Sequence, residues 1–108
     1  MSPWIWLAVA IVFEVAGTLL LKASRGFENL ALGMAAIACY SVCFWFFAPA
    51  LKVIPAGVAY AVWAGVGIAA VSLISWLAFG QSLSTANWLF IALILAGAVG
   101  LNLTAEVR

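Results

Sequence analysis

An acidic residue, Glu14, lies inside a long apolar run that extends from about Pro3 to Leu21. It is about 11 residues into that run, or roughly 16 Å along a helix, which is the depth of the bilayer centre. A charged side chain at this depth is costly, so such residues face a polar interior and usually act on ions or protons. None of the long apolar runs holds a Lys, Arg or His to neutralise it. The carboxyl group could therefore hold a proton or a cation in turn, and the alternative is a neutral, hydrogen-bonded structural acid.

Small residues surround Glu14 on the helix face that it would share with residues three, four and seven positions away. That face consists of Leu7, Ala10, Ile11, Gly17, Thr18 and Leu21. The small side chains among them could leave room for a ligand or allow another helix to approach closely. Gly17 and Thr18 are therefore candidate binding residues, with close helix packing as the equal alternative.

The third apolar run places two aromatic residues on one predicted helix face, because Tyr60, Trp63 and Gly67 follow at i, i+3 and i+7. Aromatic rings attract organic cations through their quadrupole, and the Tyr60 hydroxyl could also donate a hydrogen bond to Glu14. Packing and interfacial anchoring are the alternatives. Gly65 and Gly67 weaken this helix in mid-membrane, which predicts either a hinge for alternating access or a place of close packing.

The second and fourth apolar runs carry weaker patterns. Four residues of the second run could line a pocket or simply pack, namely Tyr40, Cys43, Phe44 and Phe47. The two cysteines, Cys39 and Cys43, are interpreted as small buried apolar residues, and the absence of histidine argues against a metal site. In the fourth run, a ridge of small residues favours helix association, within the bundle or between chains. Its members are Ala92, Ala96 and Gly100, beside Gly97.

The composition requires lipid as the solvent for these residues. Of 108 residues, 69% are hydrophobic and 6% are charged, whereas about a quarter of the residues in a soluble domain are charged. Four apolar runs near bilayer-spanning length predict an all-α membrane protein with four transmembrane helices in one domain, residues 1–108. We expect helices over about 3–21, 31–51, 56–79 and 86–103, joined by short connections and therefore antiparallel to their neighbours.

The charges and motifs also argue against several classes of function. A net charge of +1 without a basic cluster indicates neither a nucleic-acid partner nor a lipid-headgroup site. No cofactor motif and no nucleophile–base pair is present, so we expect no cofactor and no enzyme.

The positive charges are balanced between the two sides of the predicted bundle. One side would carry Lys22 and Arg25, and the other Lys52 and Arg108, so the positive-inside rule gives no orientation. One interpretation is a weak preference for one orientation, which features other than charge determine. The other is that the chain inserts in both orientations. Four helices enclose little space, and two oppositely oriented copies would form the inverted-repeat architecture of many transporters.

Three segments together resemble the small multidrug resistance family: residues 13–18 (FEVAGT), 22–27 (KASRGF) and 55–67 (PAGVAYAVWAGVG). The resemblance covers essentially the whole chain. It implies a proton-coupled exporter of small organic cations that works as an antiparallel homodimer, multi-pass in the cell's inner (plasma) membrane. It further implies that Glu14 of both copies forms a shared proton and substrate site, with Tyr60 and Trp63 as its aromatic pair. Helix four would contact its partner near Leu93 to Gly97.

The Gly17-Thr18 pair resembles the branch of the family that exports quaternary ammonium and other lipophilic cations, whereas the guanidinium branch usually has a Trp near Ala16. Phe13 is bulkier than the usual residue, Trp4 replaces a typical Tyr and Cys43 stands where Ser is common, which bears on the substrate range. Around Glu14, the predicted substrate-binding residues are Tyr60, Trp63, Tyr40, Phe44, Thr18, Gly17, Trp4 and Cys43. The predicted dimer contacts are Leu93, Ala96, Gly97 and Gly100. A guanidinium or polyamine exporter, one subunit of a heterodimer and a passive channel are the alternatives.

Overall fold

The computed structural model describes residues 2–104, which form four helices. These are α1 (Pro3–Ala23), α2 (Leu30–Leu51), α3 (Ala56–Phe79) and α4 (Thr85–Thr104). Each is long and apolar enough to cross a membrane, which confirms the all-α class and the four predicted transmembrane helices. Of the charges in the orientation argument, Arg108 lies outside the described residues.

Three of the helix ends follow the capping signals of the sequence. The Ser2 hydroxyl accepts a hydrogen bond from the Trp4 N–H at 3.3 Å, which satisfies one of the free donors at the start of α1. Gly80, with a φ of 68°, ends α3 in the left-handed region that glycine adopts without strain. At the start of α4, the Ser84 N–H donates to Asn87 Oδ1 at 3.0 Å and the Asn87 N–H donates to Ser84 Oγ at 3.2 Å.

The end of α1 differs from the sequence-based expectation. The helix extends to Ala23, two residues beyond the predicted end, and Ser24 caps it. The Ser24 hydroxyl donates to the Leu21 carbonyl oxygen at 2.6 Å, so one of the last carbonyls of the helix is already satisfied. Gly26 lies in the turn that follows, with a φ of 67°, next to Arg25 with a φ of 52°. This left-handed turn directs the chain from α1 into α2.

Helix α1 is central to the packing, because it contacts both α2 and α3. The buried core between these helices and the loop after α2 consists of Leu7, Ile11, Val15, Ala50, Ile54, Val58 and Ala59. Gly17 brings α1 and α2 together, since a Cβ atom placed there would lie 3.3 Å from both the Ala36 carbonyl oxygen and Cys39 Cβ. Of the two interpretations of Gly17, this contact supports close helix approach.

Helix α4 packs against α3 and, within residues 2–104, against no other helix. Gly65 lies at this contact, where an added Cβ would be 3.5 Å from Ile94 Cγ2 and 3.7 Å from Ala98 Cβ. The small-residue ridge points away from the bundle, because Ala92, Ala96 and Gly97 are exposed and Gly100 is partly exposed. Association of this ridge within the bundle is therefore wrong for one chain, and association between chains stays a prediction.

Candidate functional site

The Glu14 carboxyl group lies in the interior of the bundle against Gly67 of α3. A Cβ atom placed on Gly67 would lie 2.6 Å from Glu14 Oε2 and 3.3 Å from Glu14 Cδ. Only a residue without a side chain leaves this space free, so Gly67 makes room for the carboxyl group. The sequence allows two interpretations of Gly67, a hinge or a place of close packing. The contact with Glu14 supports close packing. A hinge at Gly65 and Gly67 stays a prediction.

Two buried polar atoms at this site have no hydrogen-bond partner among residues 2–104, namely Glu14 Oε2 and Trp63 Nε1. Leaving a buried donor or acceptor unsatisfied costs about 1–3 kcal/mol. Trp63 and Gly67 are one turn apart on α3, so the indole N–H and the carboxyl oxygen belong to the same interior region. Unsatisfied buried groups are uncommon in native proteins, so these two atoms mark a candidate functional position.

Three aromatic rings form a continuous stack beside the carboxyl group. The centroid of the Trp63 ring is 5.4 Å from that of Phe47 on α2 and 5.6 Å from that of Tyr60 on α3, with interplanar angles of 21° and 27°. Tyr60 is 61% exposed, so the stack extends from the interior to the surface of the chain. The hydrogen bond predicted from Tyr60 to Glu14 is not formed in the described chain, because the ring lies on Trp63 instead.

Helix α2 adds two polar groups to the site. The hydroxyls of Thr18 and Tyr40 form a hydrogen bond of 2.6 Å that joins α1 to α2 one turn from Glu14. The Cys43 side chain is fully buried and its thiol lies beside the Trp63 indole. The thiol sulfur is a weak acceptor, and the indole N–H does not reach it in hydrogen-bonding geometry. Each of these residues is predicted from sequence, whereas their pairing across helices is not.

The structure does not bring Trp4 or Phe44 to this site within one chain. Trp4 lies in grooves between helices that also contain Val62 and Val66 of α3. Phe44 is 56% exposed in a surface groove with Trp45. Phe44 follows Cys43 directly, so it projects about 100° further round the helix and away from the interior. Their predicted roles in substrate binding would need a second chain.

Comparison with known proteins identifies the family. A family model described as Small Multidrug Resistance protein matches residues 2–94. The chain belongs to the Small Multidrug Resistance family. One relative is the multidrug transporter EmrE of Escherichia coli (strain K12), which is 47% identical over 106 residues, covering 98% of this chain and 96% of EmrE.

Other relatives differ in the substrates that their names state. Quaternary ammonium compound-resistance protein QacF of Klebsiella aerogenes is 45% identical over 107 residues, covering 99% of this chain and 97% of QacF. Spermidine export protein MdtI of Salmonella arizonae is 40% identical over 98 residues, covering 91% of this chain and 90% of MdtI. These matches confirm the predicted family and a multi-pass protein of the inner membrane.

We expect Gly67→Ala to abolish cation binding and Gly65→Ala to retain it. The methyl group added at Gly67 would lie 2.6 Å from Glu14 Oε2, so the carboxyl group must leave its position, whereas at Gly65 the nearest side-chain atom, on Ile94, is at an ordinary 3.5 Å. The measurement is calorimetric titration of each purified variant with tetraphenylphosphonium, with size-exclusion chromatography as the check on assembly. Wild-type affinity in Gly67→Ala would show that the carboxyl group does not depend on this glycine.

Proposed function

We propose that this chain is a proton-coupled antiporter that exports hydrophobic quaternary ammonium cations, with Glu14 binding a proton and the substrate in turn. The observation that carries the proposal is the buried, unpartnered carboxyl oxygen of Glu14 beside a stack of three aromatic rings. No cationic side chain lies in the membrane-spanning helices of residues 2–104 near Glu14, so a proton or a cationic ligand from solution must neutralise its charge. The names of the multidrug and quaternary ammonium relatives support this substrate class.

Competition for one carboxylate is the proposed source of coupling. A protonated Glu14 is neutral and offers little attraction to a cation in a low-dielectric interior, whereas an ionised Glu14 must be compensated by a cation. Proton and substrate therefore exclude each other. If the site opens to each side of the membrane in turn, release of one allows binding of the other, and the proton gradient drives export. Gly65 and Gly67 are the proposed pivot for this opening, since glycine weakens a helix in its interior.

The aromatic stack is the proposed determinant of substrate class. The ring centroids of Phe47 and Tyr60 lie 5.4 Å and 5.6 Å from that of Trp63. Such rings attract the charge of a cation through their quadrupole and offer an apolar surface to the substituents of the cation. A permanent cation with apolar groups gains from both. Guanidinium has no apolar substituents to pack on the rings, and the rings offer no acceptors in their own plane for its N–H donors. We therefore propose that alkylated or aromatic quaternary ammonium compounds are preferred to guanidinium.

A second copy in the opposite orientation is the proposed way to complete the site. Tyr60, Trp4 and Phe44 lie partly or largely outside the interior of one chain, where a partner could meet them. On the face of α4 around Gly97 and Gly100, a Cβ atom added at either glycine would have no atom within 4 Å, so a partner helix could approach closely there. Two antiparallel chains would then share two Glu14 residues in one chamber.

Polyamine export is a second candidate, favoured by the similarity to the spermidine export protein. A polyamine carries several positive charges, and within residues 2–104 the membrane-spanning helices hold one acid, Glu14. Two copies would supply two carboxylates, fewer than the three ammonium groups of spermidine, and the apolar aromatic stack suits a lipophilic cation better than a polyamine. Competition by spermidine against tetraphenylphosphonium distinguishes the two candidates.

We expect Glu14→Gln to lose cation binding and pH-dependent transport, because the amide keeps the size of the side chain but cannot ionise. In wild type, protons compete for the carboxylate, so tetraphenylphosphonium affinity should fall as the pH is lowered. The matched control is Glu28→Gln, which removes a carboxylate from the exposed turn between α1 and α2 and should leave the titration unchanged. Uptake by Glu14→Gln in proteoliposomes at a wild-type, pH-independent rate would contradict antiport.

We expect Trp63→Leu to weaken binding of aromatic and alkylated cations by about 1–2 kcal/mol, the range for a desolvated cation–π contact. Trp88→Leu is the control, because Trp88 packs edge-to-face on Trp76 with ring centroids 6.2 Å apart, outside the stack. A competition series with quaternary ammonium compounds and guanidinium provides the measurement. Unchanged affinities in Trp63→Leu would assign the ring to packing alone, and tighter binding of guanidinium than of tetraphenylphosphonium by wild type would overturn the proposed substrate class.

We expect one Lys added at each terminus to bias the chain to a single orientation and to abolish efflux when it is expressed alone. The reason is that the balanced charges of wild type then favour one side. Efflux should return when a second form, with a Lys added to the turn after α1, is co-expressed. Gln added at the same positions serves as the control. Full activity of the Lys-biased chain alone would exclude an obligatory antiparallel pair.

A further inference from the structure

The ends of α1 and α3 line an open, polar surface cavity that is separate from the Glu14 site. It has a volume of ≈ 460 Å³ and is lined by Lys22, Ala23, Arg25, Phe79 and Gln81. Lys22 is in the last turn of α1 and Phe79 is the last residue of α3, so the cavity lies where two spans leave the membrane. Two cations, a side-chain amide and an aromatic ring thus meet at the membrane–water interface.

The lining of this cavity has a pronounced imbalance of charge. It includes two basic residues and, among the described residues, no acidic one. The Lys22 ammonium lies 5.7 Å from the centroid of the Phe79 ring, a cation–π contact that does not neutralise its charge. Arg25 is exposed in the left-handed turn after α1, with a φ of 52°. The cavity therefore presents positive charge for which its own walls supply no counter-charge.

Within residues 2–104, the side chains of Lys22 and Arg25 do not cap the helix ends. The Leu21 carbonyl accepts from Ser24, and the Lys22 carbonyl accepts from the Arg25 N–H at 3.2 Å. At the end of α3, the Gln81 N–H donates to the Ser75 carbonyl at 3.3 Å. These carbonyls of Leu21, Lys22 and Ser75 are thus satisfied by donors other than the cationic side chains. The ammonium, the guanidinium and the Gln81 amide are available to an external ligand.

We propose that this cavity binds an anionic phosphate group at the membrane interface. Lys22 supplies a point charge, Arg25 supplies a planar fork of donors that matches two phosphate oxygens, and Gln81 supplies a neutral donor. A phosphate group with an apolar tail suits the position, because the apolar Phe79 ring is part of the cavity wall at the end of a membrane-spanning helix. Phospholipid headgroups and free phosphate share this chemistry, and lipids are concentrated at the site.

The test is native mass spectrometry of the full-length protein in detergent, offered phosphatidylglycerol and phosphatidylcholine in equal amounts. Wild type should retain phosphatidylglycerol preferentially, because the choline group compensates the phosphate charge and would meet the same cations. Lys22→Gln and Arg25→Gln should each lower phosphatidylglycerol retention about fivefold, the change expected for one basic residue near an anionic surface. Arg25→Lys keeps the charge but loses the fork, so its retention should fall between those of wild type and Arg25→Gln.

The matched control is Lys52→Gln, which also removes one positive charge but lies at the opposite end of α2, outside the cavity. It should retain phosphatidylglycerol as wild type does. An equal loss in Lys52→Gln would assign the effect to diffuse charge and overturn the proposal, as would equal retention of the two lipids by wild type. Displacement of the lipid by millimolar inorganic phosphate would show that the site accepts the free anion as well, and resistance to displacement would assign it to the lipid headgroup.

Discussion

The contact between the Glu14 carboxyl group and Gly67 is the constraint on which the rest of the structure depends. An acid at mid-membrane depth is stable only where it is kept from the lipid, and in this chain it is kept there by the close approach of α1 and α3. That approach requires a residue without a side chain opposite the acid, since an added Cβ would lie 2.6 Å from Oε2. The same helix then presents Trp63 one turn away, so the acid and the aromatic stack share one interior.

A second glycine contact sets the other wall of this interior. Gly17 allows α2 to approach until an added Cβ would lie 3.3 Å from a backbone oxygen. At that spacing the Thr18 and Tyr40 hydroxyls meet at 2.6 Å and the Phe47 ring reaches Trp63. The polar and aromatic groups of three helices are therefore gathered by two glycines rather than by a polar network. Neither glycine contact provides a hydrogen-bond donor to Glu14, so its buried Oε2 atom has no hydrogen-bond partner among residues 2–104.

Sequence predicts the elements of this site better than their contacts. Hydropathy and length are sufficient for four spans, because lipid imposes a nearly fixed span length, and i, i+3 spacing is sufficient to place Tyr60 with Trp63 on one face. The Glu14–Gly67 contact and the unpartnered indole depend on the register between helices, which no local pattern determines. The same reason explains why the interfacial cavity is not predicted: Lys22 and Arg25 are too few to form a basic cluster, and Phe79 and Gln81 join them only because α1 and α3 end at the same level.

Several predicted site residues of one chain lie on its outer surface and not in the interior around Glu14. Tyr60 is 61% exposed, Trp4 and Phe44 lie in outer grooves, and α4 has its small residues uncovered. If a second copy covers them in the opposite orientation, as proposed, each leaflet receives one cavity of Lys22 and Arg25. Where both leaflets supply the same phosphate headgroup, a phosphate bound there would stabilise the two orientations equally. Such a site would anchor the pair without favouring one orientation, which is consistent with a chain whose basic residues give neither side an advantage.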